Sequence, residues 1–156
     1  MKIRVQAQAI DEPDGIALVK ELDAHLEPLY PPESRHGLRL DGLRAANVRF
    51  VVARDESGQA HGCGAIMFLD DYAELKRMYT RPASRGNGVG AAVVEFLEGL
   101  ARDRGVSVVR LETGVKQLEA LSFYEGLGYA RRGVFGNYKP DPLSICMEKR
   151  LAGMIE

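Results

Sequence analysis

Arg85-Gly86-Asn87-Gly88-Val89-Gly90, running straight into Ala91-Ala92-Val93-Val94-Glu95-Phe96-Leu97, is the stretch that orders the rest of the chain. Glycines at alternating positions leave the backbone bare, so its N–H groups can close on a bulky ligand without side chains in the way. Gly90, Val94, Leu97 and Ala101 then fall on one stripe at helical spacing. A glycine loop that opens into a helix turns unpaired N–H groups and the positive end of the helix dipole toward one point. That combination suits a pyrophosphate.

Working outward, residues 74–80 read as a strand that is unusually charged (Glu74, Lys76, Arg77) and is broken by Pro82. Before it, residues 49–54 and 62–69 alternate as partners across a turn at residues 55–59. Residues 3–9 make a first strand, and apolar residues at 18, 22, 26 and 29 stripe a helix stopped by Pro28 and the Tyr30-Pro31-Pro32 turn. A short helix is expected within residues 38–45. After the loop, the helix ends near Gly105. Then come a strand at 106–113, a helix at 118–126, and closing strands at 134–135 and 143–148. Antiparallel hairpins, a β-α-β unit and a closing pair predict a mixed α/β fold, a mostly antiparallel central sheet flanked by helices. One domain over residues 1–156 is expected at this length.

Composition narrows the function. The chain is 46% hydrophobic and 28% charged, the balance of a globular domain. With 21 basic against 22 acidic residues, it lacks the excess of a general nucleic-acid binder. No apolar run is long enough for a membrane span, and residues 1–8 lack a signal-peptide core, so a cytoplasmic protein is expected. Cys63 and Cys146 sit in strand-like runs and read as reduced core residues. His25, His36 and His61 show no metal-ligand spacing, and no metal is expected.

The glycine loop has a competitor. Gly86-x-Gly88-x-x-Ala91 matches a dinucleotide fingerprint, and Glu112 closes the next strand at the distance that motif asks. Against it, residues 81–85 separate the loop from its strand, that strand carries charge, and too little chain follows Glu112 for a doubly wound sheet. A P-loop is excluded because no Gly-Lys-Ser/Thr is present.

Arg85-x-x-Gly88-x-Gly90 resembles the acyl-CoA binding motif of the GNAT superfamily of N-acetyltransferases, and Phe123-Tyr124-Glu125-Gly126-Leu127-Gly128-Tyr129 resembles its second motif at the right distance. The resemblance implies splayed central strands and acetyl-CoA as acyl-donor co-substrate. It implies that the pyrophosphate rests on the backbone of Arg85, Gly86, Asn87, Gly88, Val89 and Gly90. The pantetheine arm would pair with the backbone of Met78, Tyr79 and Thr80 like an added strand. Gln117 stands where the family often has asparagine, and is expected as a cofactor contact. Arg81 and Arg85 are candidates for phosphate charge. A homodimer through an edge strand is admitted by the same resemblance.

The implied chemistry is acyl transfer from a thioester to a primary amine of a small molecule. An amine of pKa near 10 is neutral in about one molecule in a thousand at pH 7, a handicap of roughly 4 kcal/mol. A carboxylate acting through water relieves it. Tyr124 is the expected general acid for the leaving thiolate. Glu112, at the carboxyl end of a central strand, is preferred as base over Glu74, which can instead pair with Lys76; Glu112 can equally pair with Arg110. Tyr30, Arg77, Arg132, Tyr138 and the 135–142 loop are candidates for the acceptor side. A protein or peptide acceptor and a non-catalytic acyl-CoA sensor remain as alternatives.

Overall fold

A computed structural model describes residues 1–35 and 39–152. Its strands are β1 (Arg4–Ala7), β2 (Val48–Arg54), β3 (Ala60–Phe68), β4 (Ala73–Thr80), β5 (Val108–Gly114), β6 (Ala130–Arg132) and β7 (Ser144–Arg150). They form one sheet in the order β1-β2-β3-β4-β5-β7-β6. Every neighbouring pair is antiparallel except β4 and β5, the two strands joined through the helix that follows the glycine loop.

The helices divide between the two faces. On one face lies α1 (Pro13–Leu26), which buries Leu18, Val19 and Leu22. With the single turn α2 (Leu40–Leu43), it covers Phe50, Val52 and Ala65. On the other face α3 (Val89–Asp103) and α4 (Leu118–Gly126) bury Val93, Leu97 and Leu121 against Val51, Ile66, Leu111 and Met147. The alternation along β2 explains the division, since Val51 and Val52 point to opposite cores. Both ends of α3 are set by glycine, with Gly88 at φ +78° before the first turn and Gly105 at φ +74° after the last.

Two expectations need adjustment. The helix expected within 38–45 is the one turn Leu40–Leu43, and residue 38 lies outside the described residues. The closing strand is Ala130–Arg132, not residues 134–135. Tyr129 donates to Glu98 of α3 at 2.8 Å, so the chain is already fixed to α3 where β6 begins, and Ala130 pairs with Glu148. Phe135 is buried without being in a strand: its ring packs edge-on against Tyr72 and Tyr138 and pins the loop.

Candidate active site

The site begins with a defect in β4. Cys63 of β3 pairs with Tyr79 and Ala65 pairs with Lys76, so Arg77 and Met78 together face Gly64. Two residues against one is a β-bulge. Arg77 adopts φ +56°, a left-handed conformation that costs a side-chain-bearing residue roughly 1–2 kcal/mol. Its surroundings hold it there. The Arg77 guanidinium donates to the Val19 carbonyl at 3.2 Å and to Asp23 at 2.5 Å, both on α1, and the Cys63 thiol donates to the Arg77 carbonyl at 3.4 Å. Gly64 makes room, since a Cβ there would stand 2.5 Å from the Met78 sulfur.

The bulge turns β4 away from β5. Their ladder holds only Ala73 with Val109 and Glu74 with Arg110. Beyond it the facing backbone edges of Met78, Tyr79 and Thr80 are left without a β5 partner, and a cleft of about 820 Å³ opens between β4, α1, α4 and the glycine loop. In the loop, Gly86 and Gly88 have φ of +81° and +78°, and nothing lies within 4 Å of where their Cβ atoms would be. The first helical hydrogen bond of α3 is Ala92 N–H to Gly88, leaving the N–H groups of Val89, Gly90 and Ala91 at its open end. Gly90 is tight instead, with the Phe123 ring 3.0 Å from its would-be Cβ.

Behind the loop stands a chain of polar groups with His61 and Ser84 buried at its centre. His61 bridges the Ser84 hydroxyl at 2.6 Å and Asp55 at 2.7 Å, while the Asn87 amide donates to the Ser84 carbonyl at 3.0 Å. The side-chain order is that of an acyl-transfer triad, yet Ser84 is only 4% exposed, so the chain fixes the start of the loop. Arg85 is exposed and lines the cleft. The Arg81 guanidinium is engaged by Glu21 at 2.8 Å and by the Ala60 carbonyl at 2.9 Å.

A second, smaller cavity of about 130 Å³ lies where β4 and β5 have parted. Leu22, Met78, Gln117, Ala120 and Tyr124 line both spaces, so the two meet there. Tyr124, on α4, is 7% exposed and packs edge-on against Phe123 and Tyr129. Burial pushes its phenol well above the ordinary tyrosine value, so it stays protonated. The Gln117 side-chain oxygen accepts from Gly114 N–H at 3.3 Å and from the Tyr30 hydroxyl at 3.4 Å. Tyr30 in turn accepts from Lys116 N–H at 3.1 Å. A Cβ on Gly114 would fall 1.8 Å from the Tyr30 hydroxyl oxygen, so the end of β5 and Tyr30 fit only because residue 114 is glycine.

The two glutamates part company. Glu112 lines the inner cavity, and its carboxylate accepts from the Ser144 hydroxyl at 2.6 Å. Its sequence neighbour Arg110 pairs instead with Glu148 at 2.8 Å, the residue opposite it on β7. Glu74 is 3% exposed, pairs with Lys76 at 2.9 Å, accepts from Tyr138, and does not line the inner cavity. Of the acceptor-side candidates, Tyr30, Arg77 and Tyr138 line that cavity, while Arg132 is paired with Glu148 at 2.6 Å and lies outside it. Cys63 is inert, its thiol pushed up to about 12 by burial. Arg35, which also lines the inner cavity, carried no signal in the sequence.

A parallel pair forced apart by a bulge, above a glycine loop at a helix N-terminus, is the arrangement of the acyl-CoA N-acyltransferase fold. The acetyltransferase (GNAT) family matches residues 17–129, and the chain belongs to that family. It is 46% identical over 138 residues to an IAA acetyltransferase of Azospirillum brasilense, covering 87% of this chain and 90% of the relative. It is 34% identical to YsnE, an uncharacterized N-acetyltransferase of Bacillus subtilis, covering 91% and 97%. A solved structure from Klebsiella pneumoniae, 36% identical, superimposes with a TM-score of 0.81 over 96% of this chain and 97% of that one. An aminoglycoside 6'-N-acetyltransferase crystallised with coenzyme A shares the fold at 18% identity, with a TM-score of 0.73 over 98% and 99%. Among the described residues no helix is long and apolar enough to cross a membrane.

Proposed function

We propose that residues 1–156 act as one unit that transfers the acetyl group of acetyl-CoA to a primary amine of a small molecule, in the cytoplasm, by direct attack. The observation that carries this reading is the shared wall at Tyr124, where a cleft of about 820 Å³ that reaches the glycine loop meets a cavity of about 130 Å³. The glycine loop, Arg85 to Gly90, takes the pyrophosphate on backbone N–H groups. The unpaired edge at Met78, Tyr79 and Thr80 takes the pantetheine amides, and the Gln117 amide N–H is left for the arm because its oxygen is already used. The residues fit the donor, because the space beside Gly86 and Gly88 is open.

In the reaction the neutral amine attacks the thioester carbonyl, a C–N bond forms and the C–S bond breaks. The ammonium proton leaves first, through water to Glu112, which lines the inner cavity whereas Glu74 is tied up with Lys76 and Tyr138. The sulfur gains the Tyr124 proton, and the second proton of the attacking nitrogen passes through water to the Tyr124 oxygen, so the amide, the thiol and the phenol all end neutral. A phenol raised by burial gives up a proton to a thiolate only as the C–S bond breaks, so the transfer is concerted rather than stepwise.

Thermal shift with acetyl-CoA, followed by thiol release over a panel of amines, tests the proposal. At 100 times Kd the ligand adds about 2.7 kcal/mol, roughly 5–10 °C for a chain of this size. A shift without thiol release from any amine fits a sensor, and release with peptides alone fits a protein acceptor; either outcome replaces this reading.

A further inference from the structure

Among the described residues, two buried side-chain polar atoms have no hydrogen-bond partner: Nε of Arg35 and Nε of Arg77. Both arginines line the inner cavity. The other charged groups around that cavity are engaged. Lys76 is held by Glu74 and Tyr138, the terminal nitrogen of Arg77 by Asp23 and Val19, and Glu112 by Ser144. Arg35, just after the 3-10 turn Pro32–Ser34, has no side-chain hydrogen bond or ion pair among the described residues. A buried donor left unmade is unfavourable unless a ligand completes it, and the half-buried Arg35 guanidinium stands at the same cavity to meet one.

The ligand chemistry follows from the donor set. A guanidinium fork matches the planar carboxylate with two parallel N–H···O bonds. Glu112 in the same cavity disfavours a doubly charged group such as phosphate, and it favours an acceptor whose other end is an amine. Leu22, Leu26, Leu75 and Leu111 make the remaining lining apolar. We propose that the acceptor is a small amino acid-like molecule whose carboxylate is bound by Arg35, with Arg77 Nε as a further donor, while its amine faces the shared wall at Tyr124. This rests on the acetyl transfer proposed above and specifies its substrate class.

The test compares acceptors that differ only at the carboxylate: L-alanine, L-leucine and L-phenylalanine against their primary amides, with rates expressed per neutral amine. The acids are expected to exceed the amides in kcat/KM by about 30-fold or more, the scale of a lost partner in a charged hydrogen-bonded pair. Arg35→Gln removes that gap, chiefly through the acceptor KM of the acids, and leaves the acetyl-CoA thermal shift as it was. Arg35→Lys restores part of it. Equal rates for acids and amides, a preference for amides, or a gap that survives Arg35→Gln each overturn the proposal. If no amine releases thiol, acetyl transfer itself fails, and calorimetry of the same pairs on CoA-loaded protein decides the inference separately. Acid-selective binding that Arg35→Gln abolishes supports it; unselective or absent binding overturns it.

Discussion

The proposed donor cleft and the proposed acceptor cavity share a wall at Tyr124 but are built differently. The donor side is made of backbone: glycine N–H groups at a helix end and the open edge of a bulged strand, with side chains kept out of the way at Gly86 and Gly88. It is contiguous in sequence and largely exposed. The acceptor side is made of side chains from separate segments, with Tyr30 and Arg35 before β2, Arg77 in β4, Glu112 in β5 and Tyr138 after β6. Backbone recognition tolerates changes in side chains; side-chain recognition does not. The donor half therefore suits a common cofactor, and the acceptor half is where selectivity can vary.

Replacing the shared residue has the largest expected effect. Tyr124→Phe should lower kcat by about 100- to 1,000-fold with an unchanged acetyl-CoA thermal shift, since a positioned proton donor contributes on that scale. A loss under threefold would move the proton donor elsewhere. Because the Tyr124 phenol is raised, its ionisation begins only above the ordinary value near 10. The wild-type kcat/KM should thus climb with pH as the acceptor ammonium deprotonates, with no fall from Tyr124 below pH about 10.

Two alanine substitutions separate the halves. Gly114→Ala drives a methyl into the Tyr30 hydroxyl, an overpacking of roughly 1–3 kcal/mol, and should raise acceptor KM more than it weakens acetyl-CoA, which feels it only through Gln117. Gly88→Ala meets no atom but must hold φ +78°, a strain of roughly 1–2 kcal/mol, so it should weaken acetyl-CoA up to about 30-fold and leave acceptor KM alone. Titrating each substrate with both variants checks the division, and crossed effects would break it. The smallest effect is expected from Arg85→Ala. This exposed cation should cost acetyl-CoA affinity only about two- to fivefold, and the difference should vanish at high salt.

The same contrast explains what could be read from the chain. The glycine loop and the α3 stripe are local patterns, so they and the order of strands were visible as sequence. The charge of β4 was visible as an anomaly, but its meaning lies across the sheet, in Gly64 opposite the bulge and in Asp23 on α1. Glu112 could be paired on paper with Arg110, yet the register of β7 brings Glu148 to Arg110 and Ser144 to Glu112. Phe135 looked like strand and instead pins a loop through ring contacts. Arg35 left no trace, because nothing near it in sequence says that it lines the same cavity as Arg77 with its Nε unpartnered among the described residues.

A crystal structure with a non-hydrolysable acetyl-CoA analogue bound is the most direct measurement. It should place the pyrophosphate on the N–H groups between Arg85 and Gly90, the pantetheine along Met78, Tyr79 and Thr80, and the reacting sulfur within about 3–3.5 Å of the Tyr124 hydroxyl. Phosphates seated away from the glycine loop, or a sulfur beyond reach of Tyr124, would contradict the shared-wall mechanism.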